Sequence, residues 1–324
     1  MSRVALITGG QQGIGLGIAR ALRDAGYALA LAAEQPPDAP AVRAALADLG
    51  PGARYFRHDV QNVAGVAALL DQVEASFGPV TTLVSNAGVP ARVRGDLLDV
   101  TPDSFDFVLG VNLRGGFFLA QAVAARMLGH PANPYRAGQS GEGKSPPRVA
   151  TLAQDGDAPA RGGRGTRPPG GRAGASPSLR DGGENQETAR TGDKSESRGV
   201  HPIALPYRAL IFITSVSAEM ATASRAEYCI SKAGAGMMAK LFALRLAPLG
   251  IGVFDLRPGI IETAMTAGVA AHYAARIAEG LVPAARWGQP FDIGSVVVPL
   301  AQGQFAFATG AVIAVDGGLS IARL

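Results

Sequence analysis

The sequence predicts a doubly wound α/β fold built on a parallel sheet. Three observations carry that reading. Short apolar runs alternate with helix-like stretches along the chain. The first run ends in a glycine-rich turn that opens a helix. The 324 residues, 47% of them apolar, suffice for a sizeable core.

The elements follow in order. "RVALITG", from Arg3, is the first strand, and "GIGLGIARALRDAG" is the helix after the glycine turn. "YALALAAE" and "ARYFRHDV" are the second and third strands. "VAGVAALLDQVEASFG" is helical and "VTTLVSNAG" is the fourth strand. Thr101 caps the next helix with Pro102 at its first position, and that helix runs through "VNLRGGFFLAQAVAARML". "RALIFITSVS" is a strand. A helix then starts with Ser224 and Glu227 at capping-box spacing and ends at Gly250. "GVFDLRPG" and "GAVIAVDGG" supply two more strands. Apolar strands alternating with helices imply a sheet covered on both faces.

Residues 131–208 break this pattern. They carry 14 Gly and 10 Pro, above the roughly 25–30% that marks low-complexity sequence. Their 12 Lys+Arg against 8 Asp+Glu account for the whole net charge of +4. Such a segment buries too little apolar area to offset its ordering entropy, so it is read as a disordered insertion. Residues 1–130 and 209–324 then form one domain, interrupted once. The basic residues of the segment are interleaved with acids and lack aromatic stacking partners, which argues against nucleic-acid binding. Gly/Arg/Pro/Ala-rich sequence is also what a GC-rich gene yields when read in another frame.

Other classes are set aside by composition. No apolar run reaches the roughly eighteen residues of a membrane span. The first strand begins at Arg3, leaving no room for a leader. One cysteine, Cys229, excludes an internal disulfide, and the four scattered histidines show no metal-ligand spacing. A cytoplasmic enzyme is expected.

The chemistry begins at "TGGQQGIG", Thr8 to Gly15. Its strand–turn–helix setting suits a Rossmann-type dinucleotide site, in which Gly9, Gly13 and Gly15 let backbone amides approach a pyrophosphate. Gln12 and Ile14 belong to the same turn. Glu34, at the end of the second strand, can accept hydrogen bonds from both ribose hydroxyls and would repel a 2′-phosphate. Gln12 offers that phosphate no positive charge. NAD is therefore expected over NADP, which is not excluded. Asp59, after the third strand, could bind the adenine amino group. Tyr228 precedes Lys232 by four residues, so phenol and ammonium share one helix face. Either the pair is an accident of helix composition or the lysine makes the phenol a better acid.

These motifs together resemble the short-chain dehydrogenase/reductase family. "TGGQQGIG", Asp59–Val60, Asn86–Ala87–Gly88, Asn112, Ser215, "YCISK" at 228–232 and "RPGIIET" at 257–263 occur in that family's order. The nearest likeness is to bacterial 3-oxoacyl-carrier-protein reductases, over nearly all of the chain outside 131–208. The resemblance implies hydride transfer between a nicotinamide cofactor and a carbonyl or secondary alcohol. It implies that Tyr228 exchanges the proton, that Lys232 tunes it and holds the nicotinamide ribose, and that Ser215 steadies the substrate oxygen. Ser217 competes for that role at a less favourable spacing. Asn112 matches the family's proton-relay position. Pro258, Gly259, Ile261 and Thr263 match the segment that positions the nicotinamide ring, and 265–283 matches a substrate lid. Phe291 stands where the family often has glutamate.

Alternatives stay open within that resemblance: an NAD-dependent alcohol, sugar or steroid dehydrogenase, or a cofactor-binding sensor without catalysis. The complete Ser215, Tyr228, Lys232 set argues against a sensor. The Tyr228 helix is apolar or small around most of its circumference, so a homodimer or homotetramer packed on it is expected.

Overall fold

A computed structural model describes residues 3–92, 94–129 and 206–323. The segment read as an insertion lies outside the described residues, except for its end at Pro206–Arg208. Seven parallel strands form one sheet in the order β3-β2-β1-β4-β5-β6-β7. They are β1 (Val4–Thr8), β2 (Ala28–Ala33), β3 (Ala53–Arg57), β4 (Thr82–Ser85), β5 (Arg208–Ile213), β6 (Ile251–Pro258) and β7 (Val312–Val315). β1 and β6 are buried at every position; β1 reads as an apolar run, whereas β6 also buries Asp255 and Arg257. The edge strands β3 and β7 alternate in exposure.

Side chains alternate across the sheet and split the core in two. Leu6, Leu83, Leu210 and Val253 face one layer, with α3 (Val66–Phe77), α5 (Gly116–Met127) and α6 (Ala226–Leu246). Ile7, Leu31, Ile211 and Phe254 face the other, with α1 (Gly13–Asp24), α2 (Pro40–Leu49) and α9 (Pro290–Ala301). Of the remaining helices, α4 (Pro102–Leu109) precedes α5, and α7 (Ala264–Ala267) and α8 (Ala270–Ala278) follow β6.

Two of these helices were not expected. α2 starts at Pro40 and stops at Gly50, whose φ of +75° ends it. α9 starts within "GQPFDIG", where Gln289 and Asp292 make the capping box and Pro290 takes the first position. It packs on α1 so closely that a Cβ on Gly17 would lie 2.5 Å from Pro290 Cβ. Phe291 is exposed on its first turn.

The expected capping box on α6 is not formed. Ser224 sits in a 3₁₀ turn, Ala223–Arg225, and the helix begins at Ala226 without a side-chain cap. Glu227 points into the core instead, where Ser104 Oγ donates to its Oε1 at 2.7 Å. Thr101 does cap α4, accepting from Ser104 N at 3.3 Å.

One continuous helical stretch, Pro102–Met127, is long and apolar enough by average composition to span a bilayer, although Asn112, Arg114 and Gln121 break its apolar run. Half of its most apolar window is buried against the core, and α5 contributes Leu119, Ala120, Val123 and Met127 to the layer on α3 and α6.

The boundary of the expected insertion also shifts. Tyr207 belongs to the domain, because its ring and hydroxyl occupy the space that side chains at Gly303 and Gly252 would fill. The Arg208 guanidinium donates to the Met127 carbonyl, joining the end of α5 to the start of β5 at the N-terminal edge of the sheet.

Candidate active site

The sheet order reverses between β1 and β4, whose following helices lie on opposite faces. Such a reversal leaves a crevice at the C-terminal ends of the strands. A cleft of about 380 Å³ opens there. Residues from the glycine turn, from the ends of β4, β5 and β6, from α6 and from α8 line it.

The glycine turn is shaped by close approach. Gly9 and Gly13 have φ of +66° and +53°, a region that side chains rarely adopt. A Cβ on Gly15 would lie 2.1 Å from the Gly9 carbonyl oxygen. Gln12 is the N-cap of α1 and makes no side-chain cap, so the first amides of the helix remain free for an anion. These features fit the pyrophosphate of a dinucleotide. Thr8 Oγ1 accepts from Asn86 N and Ala87 N, both at 2.9 Å, which ties the end of β1 to the Asn86–Gly88 loop. Sequence reasoning had assigned no role to Thr8.

The second strand's end is as expected in position. Glu34 is exposed just past β2, and its backbone carbonyl accepts from Arg57 Nε at 3.1 Å. Burial, and then the Glu34 carboxylate, push the neighbouring Tyr55 phenol up to about 12. Asp59 is exposed after β3 and accepts from Gln61 N at 2.9 Å. Val60 is buried, and a Cβ on Gly115 would meet its carbonyl at 2.4 Å. Glu34, Asp59, Val60 and Asn112 stand outside the lining of the cleft itself.

The residues matched to catalysis converge. Ser215 follows β5, caps the 3₁₀ turn Val216–Ala218, and accepts from Ser217 N at 3.0 Å; both serines line the cleft. Tyr228 lies in the first turn of α6. Burial pushes its phenol up, while a hydrogen bond to Ser215 and the charges of Arg225 and Arg94 pull the other way. Lys232 Nζ donates to the Ile213 carbonyl at 3.0 Å and lies 5.7 Å from the centre of the Tyr228 ring. Burial brings the lysine itself down to about 8, with Asp255 acting against it. Arg225 and Arg94 thus add to the field that favours the phenolate.

Asn112 sits in a π-helical stretch, Gly110–Gly115, between α4 and α5. Its Oδ1 accepts from Val89 N at 2.8 Å, and its Nδ2 donates to Val89 O and Ser231 Oγ, each at 3.0 Å. A Cβ on Gly88 would lie 3.4 Å from both Asn112 Oδ1 and Lys232 Nζ, so a side chain there would crowd both groups. On the far wall, Pro258, Gly259, Ile261 and Thr263 follow β6. Thr263 faces the glycine turn, its Cγ2 3.4 Å from where a Cβ on Gly13 would stand.

The family model described as short chain dehydrogenase matches residues 3–134, and that described as enoyl-(acyl carrier protein) reductase matches residues 194–320. A solved 3-oxoacyl-[acyl-carrier protein] reductase from Brucella melitensis, in complex with NAD, is 37% identical with a TM-score of 0.74. The match covers 100% of this chain and 99% of that one. The chain belongs to the short-chain dehydrogenase family. Similarity extends to the acetoacetyl-CoA reductase of Shinella zoogloeoides, 26% identical over 98% of each chain. It extends also to the cis-4-hydroxycyclohexanecarboxylate dehydrogenase of Sinomonas cyclohexanicum, 26% identical over 98% of this chain and 96% of that one. Like other short-chain dehydrogenases, the protein is an oxidoreductase of CH–OH and carbonyl groups that binds a nicotinamide cofactor.

Sequence reasoning missed a set of residues that only the fold assembles. Arg94, Arg225 and Arg276 all line the cleft, although they lie in three separate stretches of the chain. Beneath it runs a buried polar chain. Arg257 pairs with Glu219 and, at 3.0 Å, with Asp255, which accepts from the Thr214 hydroxyl. No spacing in the sequence marks either set.

Proposed function

We propose that this chain moves a hydride between NAD and a secondary alcohol or ketone, with Tyr228 as the acid–base group. When bound, the nicotinamide supplies the hydride acceptor or donor. The observation that carries the reading is the convergence of Ser215, Tyr228 and Lys232 in one cleft with the glycine turn. In reduction Tyr228 gives its phenol proton to the carbonyl oxygen, and in oxidation its phenolate takes the hydroxyl proton. Its raised proton affinity keeps it protonated at neutral pH, ready to donate. Ser215 orients the substrate oxygen toward it. Lys232, withdrawn on the Ile213 carbonyl, would turn to the nicotinamide ribose, and Asn112 would extend the proton path behind it.

Gly9, Gln12, Gly13, Ile14 and Gly15 would hold the pyrophosphate, and Glu34, Asp59 and Val60 the adenosine. Asn86–Gly88, Pro258, Gly259, Ile261 and Thr263 would hold the nicotinamide half. The exposed Glu34 carboxylate supports NAD over NADP. Ile230, Met237, Leu241 and Leu244 are exposed along α6, which supports assembly through that face as a homodimer or homotetramer in the cytoplasm. Residues 135–193 fall between the two family matches, which supports reading the interrupting segment as an addition to one catalytic domain.

The test is Tyr228→Phe. Turnover, followed by nicotinamide absorbance, should fall about 10²–10⁴-fold while cofactor binding persists. A variant within tenfold of the parent would remove Tyr228 from the chemistry.

A further inference from the structure

Among the described residues, four cations and no acid line the cleft. Lys232 lies among its inner residues. Arg94, from the loop after β4, Arg225, just before α6, and Arg276, on α8, line it together with Met220 and Tyr273. Among the described residues no aspartate or glutamate lines it, although the chain holds 26 of them. None of the three arginines makes an ion pair among the described residues. Convergent unpaired guanidinium groups in a concave site concentrate anions there.

The cofactor does not account for them. Its pyrophosphate is matched by the free amides of the glycine turn and α1, whereas Arg225 stands at the tyrosine. The guanidinium carbon of Arg225 is 5.7 Å from the centre of the Tyr228 ring. An anion paired with it would sit within a few bonds of the reacting carbon. The phosphate of a carrier-bound acyl thioester is separated from its carbonyl by a long chain, which would have to fold back on itself for the phosphate to meet Arg225 while the carbonyl met Tyr228. A carboxylate on the substrate itself needs no such fold, and guanidinium binds carboxylate in a bidentate fork.

We propose that the substrate is a hydroxy acid or oxo acid whose carboxylate is bound by Arg225 with help from Arg94 and Arg276. This rests on the reaction proposed above, whose balance it leaves unchanged. In reduction the carbonyl carbon takes the hydrogen and electron pair of a hydride from the nicotinamide, and the carbonyl oxygen takes the Tyr228 proton, leaving the phenolate. Oxidation is the reverse, from the phenolate. Thioester reduction, the activity named for several relatives, then requires a different anchoring of the acyl chain.

The experiment compares matched pairs with the full-length enzyme and NADH. They are 4-oxocyclohexanecarboxylate and 4-oxopentanoate against their methyl esters, with acetoacetyl-CoA alongside. Each acid should exceed its ester in kcat/KM by about tenfold or more, as for a site whose charged donors lose their partner. Arg225→Gln should collapse the acid-to-ester ratio toward one, and Arg276→Gln, on an exposed helix, should lower it in the same direction. Esters or the CoA thioester matching the acids in the parent would overturn the proposal, as would ratios untouched by the substitutions. If no compound is turned over, binding to the enzyme–NADH complex is read by NADH fluorescence. Acids binding about tenfold tighter than esters sustain the carboxylate site, and equal or absent binding overturns it. Absent turnover with every carbonyl would count against the proposed reaction alone.

Discussion

Ser104 Oγ donates to Glu227 Oε1 at 2.7 Å, and both side chains are buried between α4 and α6. One turn further along α6, Ser231 Oγ accepts from Asn112 at 3.0 Å and donates to the Tyr228 carbonyl at 2.7 Å. Two polar rungs thus lock the turn that carries Tyr228 against the segment that carries Asn112.

Glu227→Ala leaves the buried Ser104 hydroxyl without its acceptor. The expected cost is about 1.5–3 kcal/mol of stability, the scale of a hydrogen bond to a charged group. Glu227→Gln keeps an acceptor and should cost less. Urea denaturation of both variants checks this, and equal losses would show that the bond to Ser104 is not what holds Glu227.

Lys232 predicts a pH dependence of stability. Its proton affinity in the folded chain is lowered from 10.5 to about 8 by burial. Between those values the unfolded chain keeps a proton that the folded chain has released, so stability rises with pH through that window. Below about pH 8 the cost of burying the cation is present in full. Lys232→Met has nothing to titrate there. Its Tm relative to the parent should therefore fall as pH is raised from 8 to 10.5, while its turnover is lost. A difference that is flat with pH would contradict the assignment.

Glu34 should set cofactor choice. The parent is expected to prefer NADH over NADPH in kcat/KM, and Glu34→Ala should narrow the gap by removing repulsion of the 2′-phosphate. Equal kcat/KM for both cofactors in the parent would dismiss Glu34 from that role.

Replacing residues 137–202 by a short linker should leave kcat/KM intact. The Arg208 contact with the Met127 carbonyl already holds the flanking ends together, and it lies at the sheet edge opposite the cleft. Long loops also add closure entropy slowly, about 0.6 kcal/mol per doubling. Tyr207 must be kept, because its ring fills the space beside Gly252 and Gly303. Lost activity in a deletion that folds and assembles normally would reveal a function for the segment.

Much of this protein was legible in its sequence because the informative signals are local. A strand buried on both faces is mostly apolar, so β1, β2, β4, β5 and β6 announced themselves, even though β6 buries the Asp255–Arg257 pair. A turn that admits a pyrophosphate must be glycine, and a phenol and ammonium one helical turn apart must be four residues apart. What the chain alone could not show depends on packing between distant segments. Glu227 matched a capping box in spacing, yet a buried hydroxyl 123 residues away claimed it. α9 carried little contrast because Val296, Val298 and Pro299 on its outer side are as apolar as the stripe it buries, Ile293, Val297 and Leu300, and the close contact of Gly17 with Pro290 is visible only in the fold. Burial, which raises the proton affinity of Tyr228 and lowers that of Lys232, is likewise set by packing and has no mark in the spacing of the pair. Arg94, Arg225 and Arg276 share no spacing at all. Only the return of three loops to one end of the sheet turns them into a single charged wall, because electrostatic complementarity is a property of distance in space and not of position along the chain.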